Sequence, residues 1–348
     1  MVATVPLLGG GAMLMVGTFL PAKVCDGLAA TGGGVIPPEE HAVLMRLLAE
    51  VEGVEFVHGV DFRDSYVRRG RVHCGEVCLN DLDAYLWHAD FARKPGSYDL
   101  DALLTLKRDT VVVPDPETVA VAFDKHWSYL ALARAGAAVP ESVLVSRRNI
   151  EAAAPVIEEW GRAVLKPRRG CFGWGVLFID SFSMLRDVVG YLEAETTEGR
   201  VRGVPSAASG RSFLLERFYP NSPEDWLGVT LVGGEVVYGF RKGADRHVWL
   251  DDVTWKVYDS GRDGGAVEHR EVPAEHAALV DTARRAFDLP LLGFDIIRHE
   301  GEPVIVDVNT GPALYQELFA AAGRSLAHEL HRAFTTALAE ATAARSAR

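Results

Sequence analysis

The chain has 348 residues, of which 36 are basic and 48 acidic, and its formal net charge is −12. This length suffices for one large domain, or for two to three subdomains, with a well-buried core. The acidic balance argues against nucleic acid or an anionic membrane surface as the main partner, so we expect a small-molecule ligand.

The N-terminal third predicts a small α/β unit. Residues 2–20 are apolar, but they lack the basic start of a signal peptide and are interrupted by Pro6 and by the glycines at 9–11. We therefore expect a buried strand at 12–16 rather than an export signal or a membrane span. Residues 39–53 predict a helix, and short strands and helices alternate from there to Trp87. The cysteines show no CxxC spacing, which favours reduced thiols in a cytoplasmic protein.

The next predicted element is a helix that contains Lys125. It follows the turn Pro114-Asp115-Pro116, and Gly136 and Pro140 should end it and open the next strand.

A glycine-rich loop follows a short apolar strand that carries Lys166. The loop contains Gly170, Gly173 and Gly175, and the apolar run 176–179 predicts a second strand after it. Glycine allows positive φ and a close backbone approach, so successive N–H groups can line a concavity that accepts phosphate oxygens. The loop lacks the GK[ST] ending of a P-loop, so an ordinary turn stays open as the alternative.

Two polar segments interrupt the regular pattern further on. Residues 196–210 are rich in Gly, Ser, Thr and Ala and are expected to form a mobile connection. Residues 243–265 are too long for an ordinary hairpin turn, and we expect them to cover a substrate. From Ser325 the chain predicts an alanine-rich helix that frays after Ala341.

The most informative stretch is a predicted β-hairpin near the C-terminus. Residues 292–298 and 303–308 are β-branched runs separated by a short loop at 300–302. A hairpin closed on that loop places Asp295 opposite Asp307, and Asn309 shares the face of Asp307 because side chains alternate along a strand.

Two facing carboxylates repel each other unless a cation lies between them. Carboxylate and amide oxygens suit Mg²⁺, which proteins commonly bind together with the phosphates of a substrate. The hairpin therefore predicts a magnesium–nucleotide site. A solvated hairpin with incidental acids is the alternative.

Five segments, in one order along the chain, resemble the ATP-grasp superfamily. The likeness is greatest to its RimK-like and glutathione-synthetase-like carboxylate–amine ligases. The segments are VVVPDPETVAVAFDKHWSYLALARAGAAVPESVLVS (111–146), AVLKPRRGCFGWGV (163–176), LLERFYP (214–220), DWLGVTLVGGEVVYGFRK (225–242) and GFDII with VIVDVNTGP (293–312).

The resemblance implies an α/β (α+β) fold in which the nucleotide is held between two sheets. The implied units are a Rossmann-like subdomain at 1–115, a central lid subdomain at 116–213, and a C-terminal subdomain at 214–348 with the metal site.

The resemblance also implies a role for each matching residue. Those that would bind ATP are Lys125, Lys166, Gly170, Gly173, Gly175, Glu216, Arg217, Phe218 and Asp225. The lysines would contact phosphates or adenine, the glycine loop would cover the phosphates as a lid, and 215–218 would form the adenine hinge. Asp225, or else Glu224, would bind the ribose hydroxyls.

In the same way, the reacting groups are assigned by resemblance. Arg241 and Lys166 would act on the carboxyl and phosphoryl oxygens during catalysis. Asp295, Asp307 and Asn309 would hold Mg²⁺, as two ions that Mn²⁺ could replace.

The sequence departs from the family pattern at three places. Asp307 stands where the family usually has Glu, which shortens the metal ligand by one methylene. Leu227 stands where many relatives have Arg, and Ser260 stands where they have Asn. These departures put two features in question: the binding of a second metal ion and the acceptor side of the site.

The implied reaction joins a small-molecule carboxylate to an amine through an acyl-phosphate and releases ADP and phosphate, with an amino acid or small peptide as substrate. Three alternatives stay open: a thiol or hydroxyl nucleophile, a simple ATPase, and a non-catalytic ATP-binding regulatory module. The donor and acceptor cannot be read, because the residues that select them lie in the N-terminal third and in 243–265. A homodimer also stays open.

Overall fold

The structure, a computed structural model, describes residues 13–22, 36–89, 96–170, 173, 175–195, 212–221, 224–242, 248–250, 253–255, 267–312 and 314–347. The predicted connection at 196–210 and most of 243–265 lie outside these ranges.

The strands are β1 (Leu14–Phe19), β2 (Val54–His58), β3 (Tyr66–Arg68), β4 (Arg71–Cys74), β5 (Val77–Cys78), β6 (Ala84–Trp87), β7 (Val111–Val113), β8 (Ser142–Val145), β9 (Ala163–Pro167), β10 (Leu177–Ile179), β11 (Phe213–Arg217), β12 (Leu227–Val232), β13 (Glu235–Lys242), β14 (Val248–Leu250), β15 (Val253–Trp255), β16 (Val267–Arg270), β17 (Leu291–His299) and β18 (Glu302–Asn309).

The helices are α1 (Pro38–Ala49), α2 (Tyr98–Leu106), α3 (Pro116–Phe123), α4 (Lys125–Arg134), α5 (Ala154–Trp160), α6 (Phe182–Glu195), α7 (Ala274–Arg284), α8 (Gln316–Ala321) and α9 (Leu326–Ser346). Short 3-10 helices occupy Phe62–Asp64, Leu79–Asp81 and Ile150–Ala153. Within the described part of the chain, no helix is long and apolar enough to cross a membrane.

The N-terminal sheet is parallel, with strand order β2-β1-β6-β7. Every residue of β6 and β7 is buried, as expected for parallel strands that are covered on both faces. The strand predicted at 12–16 forms as β1, which starts at Leu14 and continues through Phe19 because the apolar run extends that far. The predicted helix 39–53 ends earlier, at Ala49, and a turn follows in which Gly53 has a φ of 76°.

The central sheet is antiparallel, with strand order β10-β9-β11-β8. It has its own hydrophobic core, in which Leu165 and Leu215 of the sheet lie with Leu185 and Val189 of α6. The central sheet therefore forms a unit whose apolar core is separate from the others.

The C-terminal sheet is antiparallel, with strand order β16-β13-β12-β17-β18. One core cluster contains Phe294 of this sheet with Phe287, which follows α7, and the other contains Tyr238 with Phe334 of α9. Both clusters also include residues of the N-terminal sheet, so the first and third sheets share their apolar cores.

These sheets confirm the expected α/β (α+β) class, whereas the limits at 115/116 and 213/214 stay predictions. The final helix does not end at Ala341 as expected. It continues to Ser346, and the guanidinium of Arg345 donates to the carbonyl of Asp109, which ties its last turn to the N-terminal unit.

Gly228 in β12 has no room for a side chain. A Cβ there would lie 2.4 Å from Cζ of Phe240 and 2.5 Å from its Cε1, and Phe240 is itself buried. We predict that Gly228→Ala lowers the free energy of unfolding by about 1–3 kcal/mol, the usual cost of overpacking. Urea denaturation measures the change.

Gly190→Ala in α6 is the matched control, because no heavy atom lies within 4 Å of the added Cβ. It should be neutral or stabilise by about 0.5–1 kcal/mol, since Gly is a poor helix former. A Gly228→Ala protein as stable as Gly190→Ala would contradict the packing described for β12.

Candidate functional site

The β17–β18 hairpin pairs Asp295 with Asp307, as predicted. Its loop is one residue shorter than expected, because His299 pairs with Glu302 and only residues 300–301 form the turn. Glu300 and Gly301 have φ angles of 52° and 89°, the sign pattern of a type I′ turn.

A β-bulge at Val306 restores the predicted pairing. Ile296 pairs with Ile305 and Asp295 pairs with Asp307, so Val306 has no partner in β17. Without this extra residue Asp295 would face Val306, and Asp307 would point to the other side of the sheet.

The bulge also frees the carbonyl group of Val306 for side-chain contacts. It accepts a hydrogen bond from Nζ of Lys166 at 3.1 Å and another from the hydroxyl of Tyr129 at 2.7 Å. Groups from the central sheet and from α4 therefore meet on this strand of the C-terminal sheet.

Lys125 is the first residue of α4 and is buried. Its Nζ lies 2.6 Å from Oδ1 of Asp307. Burial acts to lower the pKa of Lys125, but the attraction of the Asp307 carboxylate outweighs it, and the net pKa lies above the ordinary value. The ammonium group therefore stays charged beside the carboxylate pair.

Lys166 forms the corresponding ion pair with Glu216. Antiparallel pairing sets Leu214 opposite Lys166, which puts Glu216 on the same face one diagonal step away. Nζ of Lys166 lies 2.7 Å from Oε1 of Glu216, and Glu216 is 3% exposed. Burial raises the pKa of the Glu216 carboxyl, and the Lys166 ammonium opposes this effect.

Tyr129 is a member of the cluster that the sequence analysis missed. It follows Lys125 by one helical turn and shares its face, and its hydroxyl lies 3.2 Å from Oε1 of Glu216. Burial raises the pKa of Tyr129 well above its ordinary value, so the phenol keeps its proton and can donate. The four-residue spacing from Lys125 is the signal that could have identified it.

Three oxygen-bearing side chains at the hairpin fit a magnesium ion. Asp295 and Asp307 face each other, and the amide of Asn309 lies 3.5 Å from Oδ1 of Asp295. Which amide atom points inward is an assignment, so the Asn309 oxygen can serve as a ligand. Hard oxygen donors completed by substrate phosphates are a typical Mg²⁺ environment.

No group of three or more His, Cys, Asp or Glu that could hold a metal occurs among the residues that the structure describes.

Burial and the nearby charge of Asp295 raise the pKa of Tyr315 to about 12, so this phenol also stays neutral beside the hairpin.

In the glycine loop, Gly173 and Gly175 have the positive φ that the sequence predicted. Their φ angles are 72° and 75°, where a side chain would be strained. A Cβ at Gly175 would also lie 3.2 Å from Cγ of Pro167. Gly170 directly follows Arg168 and Arg169, whose guanidinium groups pair with Asp124.

The predicted hinge residues lie at the end of β11. The backbone N–H of Arg217 donates to the carbonyl of Glu141 at 2.9 Å, and that of Phe218 donates to the carbonyl of Arg162 at 3.1 Å. The ring of Phe218 is buried against the edge of Phe178. Their roles toward adenine stay predictions.

The structure does not bring Arg241 into the lysine–carboxylate cluster. Phe240 covers Gly228, which pairs with Asp295, so alternation along β13 puts Arg241 on the opposite face from Asp295. Its guanidinium lies 2.7 Å from Oε1 of Glu224. Asp225, the predicted ribose ligand, follows Glu224 in the turn before β12.

Solved structures of ATP-grasp proteins share this fold over nearly the whole chain. D-cycloserine synthetase DcsG matches with a TM-score of 0.61 and 17% identity, covering 94% of this chain and 99% of the other. A RimK domain ATP-grasp protein from Sphaerobacter thermophilus matches with a TM-score of 0.60 and 17% identity, covering 92% and 99%. D-alanine–D-alanine ligase from Bacillus anthracis, complexed with ATP, matches with a TM-score of 0.58 and 14% identity, covering 96% and 100%.

Among curated proteins, a tetrahydromethanopterin:alpha-L-glutamate ligase from Methanosarcina acetivorans is 26% identical over 227 residues. The match covers 64% of this chain and 65% of that relative's length. No family model matches the chain.

The Lys166–Glu216 ion pair generates a test of the site's electrostatics. Removing one member of a buried pair leaves an uncompensated charge, which typically costs about 3–5 kcal/mol, whereas removing both leaves none. We predict that Lys166→Met and Glu216→Gln each destabilise more than the double variant does. The urea-denaturation free energies of the three proteins and the wild type complete a double-mutant cycle.

An exposed pair supplies the control cycle. Arg270 and Glu268 lie 2.7 Å apart with side chains 48% and 60% exposed, so their coupling should be below about 1 kcal/mol. Equal coupling in the two cycles would show that the Lys166–Glu216 pair is not buried as described.

Proposed function

We propose that this chain, which has the ATP-grasp fold, is an ATP-dependent ligase that joins a carboxylate to an amine through an acyl-phosphate. The observation that carries the proposal is the convergence of two ammonium groups, one buried and one partly buried, on adjacent residues of one strand. Lys166 contacts Val306 and Lys125 contacts Asp307, next to the paired carboxylate of Asp295.

This arrangement suits a nucleotide held between the central and C-terminal sheets. Ammonium groups can bind phosphate oxygens as point charges, and here they come from two different elements, α4 and β9. The glycine loop that follows β9 adds backbone donors to the same region. We propose that Lys125, Lys166 and this loop bind the phosphates of ATP.

The metal ligands proposed are Asp295, Asp307 and Asn309, and two Mg²⁺ ions are proposed in accordance with the family resemblance. These residues would hold Mg²⁺ beside the phosphates, where the ion would supply positive charge. The chain's own part is to hold the carboxylates on one face by the Val306 bulge and to place the ammonium groups of Lys125 and Lys166 beside them.

The proposed reaction has two balanced steps. A carboxylate oxygen of the donor attacks the γ-phosphorus of ATP, and the bond from that phosphorus to the ADP oxygen breaks. The amine nitrogen then attacks the acyl carbon, phosphate leaves with the C–O bonding electrons, and the nitrogen loses a proton. In the first step Lys125 and Lys166 would balance the charge that develops on the phosphoryl oxygens.

For the substrates, we propose small molecules with an amino acid on at least one side of the new bond. The curated relative is named as a glutamate ligase, and one structural neighbour is a D-alanine–D-alanine ligase. The match covers 65% of the first relative's length. The proposed substrate class therefore rests on the relative's name alone.

Replacing a proposed metal ligand should stop turnover and spare the fold. We predict that Asp295→Asn lowers ADP release by at least about 100-fold at saturating Mg²⁺, since it removes an electrostatic group at the reacting phosphates. ADP release is measured with ATP and a panel of amino acids, and thermal unfolding checks the fold.

Glu302→Gln on the same hairpin is the control, because Glu302 is an exposed acid in β18. It should retain full activity. Near-normal turnover in Asp295→Asn would remove this carboxylate from the metal role.

The acyl-phosphate itself can be trapped. With ATP, Mg²⁺ and a donor acid but no amine, hydroxylamine should capture the activated acid as a hydroxamate, with ADP and phosphate released. Mass spectrometry identifies the hydroxamate and the nucleotide product. AMP with pyrophosphate would contradict the proposed mechanism even if the final product were an amide.

The same assay tests the predicted role of Arg241. If this residue acts on the reacting oxygens, Arg241→Ala should reduce hydroxamate yield more than it reduces nucleotide affinity. Unchanged trapping would agree with its placement on the opposite face of the sheet.

A further inference from the structure

Asp124 is a fully buried carboxylate directly before Lys125. It is the N-cap of α4, and its Oδ1 accepts from the backbone N–H groups of His126 at 3.2 Å and Trp127 at 3.3 Å. Both distances are long for such bonds, and a Ser or Asn could cap the helix equally well. Helix capping therefore does not account for a buried negative charge at this position.

The charge of Asp124 is balanced by two arginines at the start of the glycine loop. Arg168 binds it through two nitrogens, with Nε 3.0 Å from Oδ1 and Nη2 2.8 Å from Oδ2. Nη2 of Arg169 lies 2.7 Å from Oδ2. The Nε contact is a charge-assisted hydrogen bond, and the two contacts to Oδ2 are ion pairs.

A main-chain contact reinforces this connection. The N–H of Lys125 donates to the carbonyl of Arg168 at 2.8 Å. Arg168 follows Lys166 by two residues, and Gly170 follows Arg168 by two. The start of α4, the end of β9 and the first glycine of the loop are thus held together around one carboxylate.

Arg168 also reaches the strand that carries Glu216. Its Nη1 donates to Oγ of Ser212 at 3.3 Å, and Ser212 directly precedes β11. Arg168 therefore links three of the elements that supply the lysine–carboxylate cluster: α4, the end of β9 and the start of β11.

We propose that Asp124 is a positioning residue that clamps the glycine loop to α4 through Arg168 and Arg169. The clamp holds Lys125 and Lys166 at the spacing at which both bind the nucleotide phosphates. This inference rests on the proposed function, because it assigns Asp124 a part in nucleotide binding.

The Asp124→Asn variant tests the ion pairs of Asp124 separately from its role as a helix cap. Asn has the same size and caps a helix as well as Asp does, but it cannot form the ion pairs. We expect Asp124→Asn to raise the Kd for ADP with Mg²⁺ by about 10-fold or more, measured by calorimetric titration of the full chain. The KM for ATP should rise in parallel, while the KM for the amine stays within about 2-fold.

Asp115→Asn is a matched control from the preceding helix. Asp115 is the N-cap of α3, accepts from Thr118 N at 2.9 Å, and pairs with Nζ of Lys107 at 2.5 Å. It thus has a cap and a cation, but among the described residues no hydrogen bond or ion pair joins it to the arginines at the start of the loop. Asp115→Asn should leave the Kd for ADP within about 2-fold, and thermal unfolding of both variants corrects for lost stability.

Arg168→Gln/Arg169→Gln provides a second variant that keeps the buried carboxylate as its helix cap. It should weaken ADP binding about as much as Asp124→Asn, and the triple variant should be no weaker, because all three residues act through one clamp. Weak binding by the arginine variant with normal binding by Asp124→Asn would show that the arginines act directly, and would overturn the positioning role.

The remaining outcomes separate this inference from the proposed function. Wild-type protein that binds no ADP with Mg²⁺ would overturn both. Equal ADP affinity in the wild type and in Asp124→Asn would overturn the clamp and leave the ligase proposal intact.

Discussion

Where the central and C-terminal sheets meet, the ammonium groups of the buried Lys125 and the partly buried Lys166 each face a carboxylate from a distant segment. Nζ of Lys125 lies 2.6 Å from Asp307, and Nζ of Lys166 lies 2.7 Å from Glu216. Burying an unpaired ion costs several kcal/mol, so neither lysine would be tolerated alone. The Lys125–Asp307 pair joins α4 to the hairpin, and the Lys166–Glu216 pair joins two neighbouring strands of the central sheet.

The positions of the apolar cores explain why polar contacts link the central sheet to the hairpin. The N-terminal and C-terminal sheets share two core clusters, whereas the central sheet has a separate core of its own. Contacts from Lys166 and Tyr129 to the carbonyl of Val306 then link the central unit to the hairpin. Such hydrogen bonds can be exchanged for bonds to a ligand without exposing apolar surface, which suits the walls of a nucleotide site.

Phosphate binding would preserve this balance of charge. Phosphate oxygens can replace Asp307 as the partner of Lys125, and the freed carboxylate then becomes available, with Asp295, to a metal ion. The hydroxyl of Tyr129 lies 2.7 Å from the carbonyl of Val306 and 3.2 Å from Oε1 of Glu216, so its one proton can turn to Glu216 when Lys166 binds phosphate.

The sequence predicted the features that depend on residues close together along the chain. Alternation and loop length were enough to place Asp295 opposite Asp307, although the loop proved shorter and a bulge made up the difference. Contacts between distant elements could not be read in this way. Lys125 and Asp307 are 182 positions apart, and their contact depends on how α4 packs against the hairpin.

The residues assigned by resemblance do not all lie in the lysine–carboxylate cluster. The lysines and acids of the metal set lie together, whereas strand alternation takes Arg241 to the other face of the sheet. The role of Arg241 stays a prediction. Tyr129 and Asp124 lie within the segment 111–146 that resembles the family, but their contacts with Glu216, Val306 and the two arginines are visible only in the structure.

A crystal structure of the wild-type protein with ADP and Mg²⁺ tests the central claim most directly. The account predicts that Lys125 leaves Asp307 for a phosphate oxygen, and that Asp295 and Asp307 bind Mg²⁺ at about 2.1 Å. Nucleotide bound elsewhere, or bound with the Lys125–Asp307 pair intact and no metal at the hairpin, would contradict it.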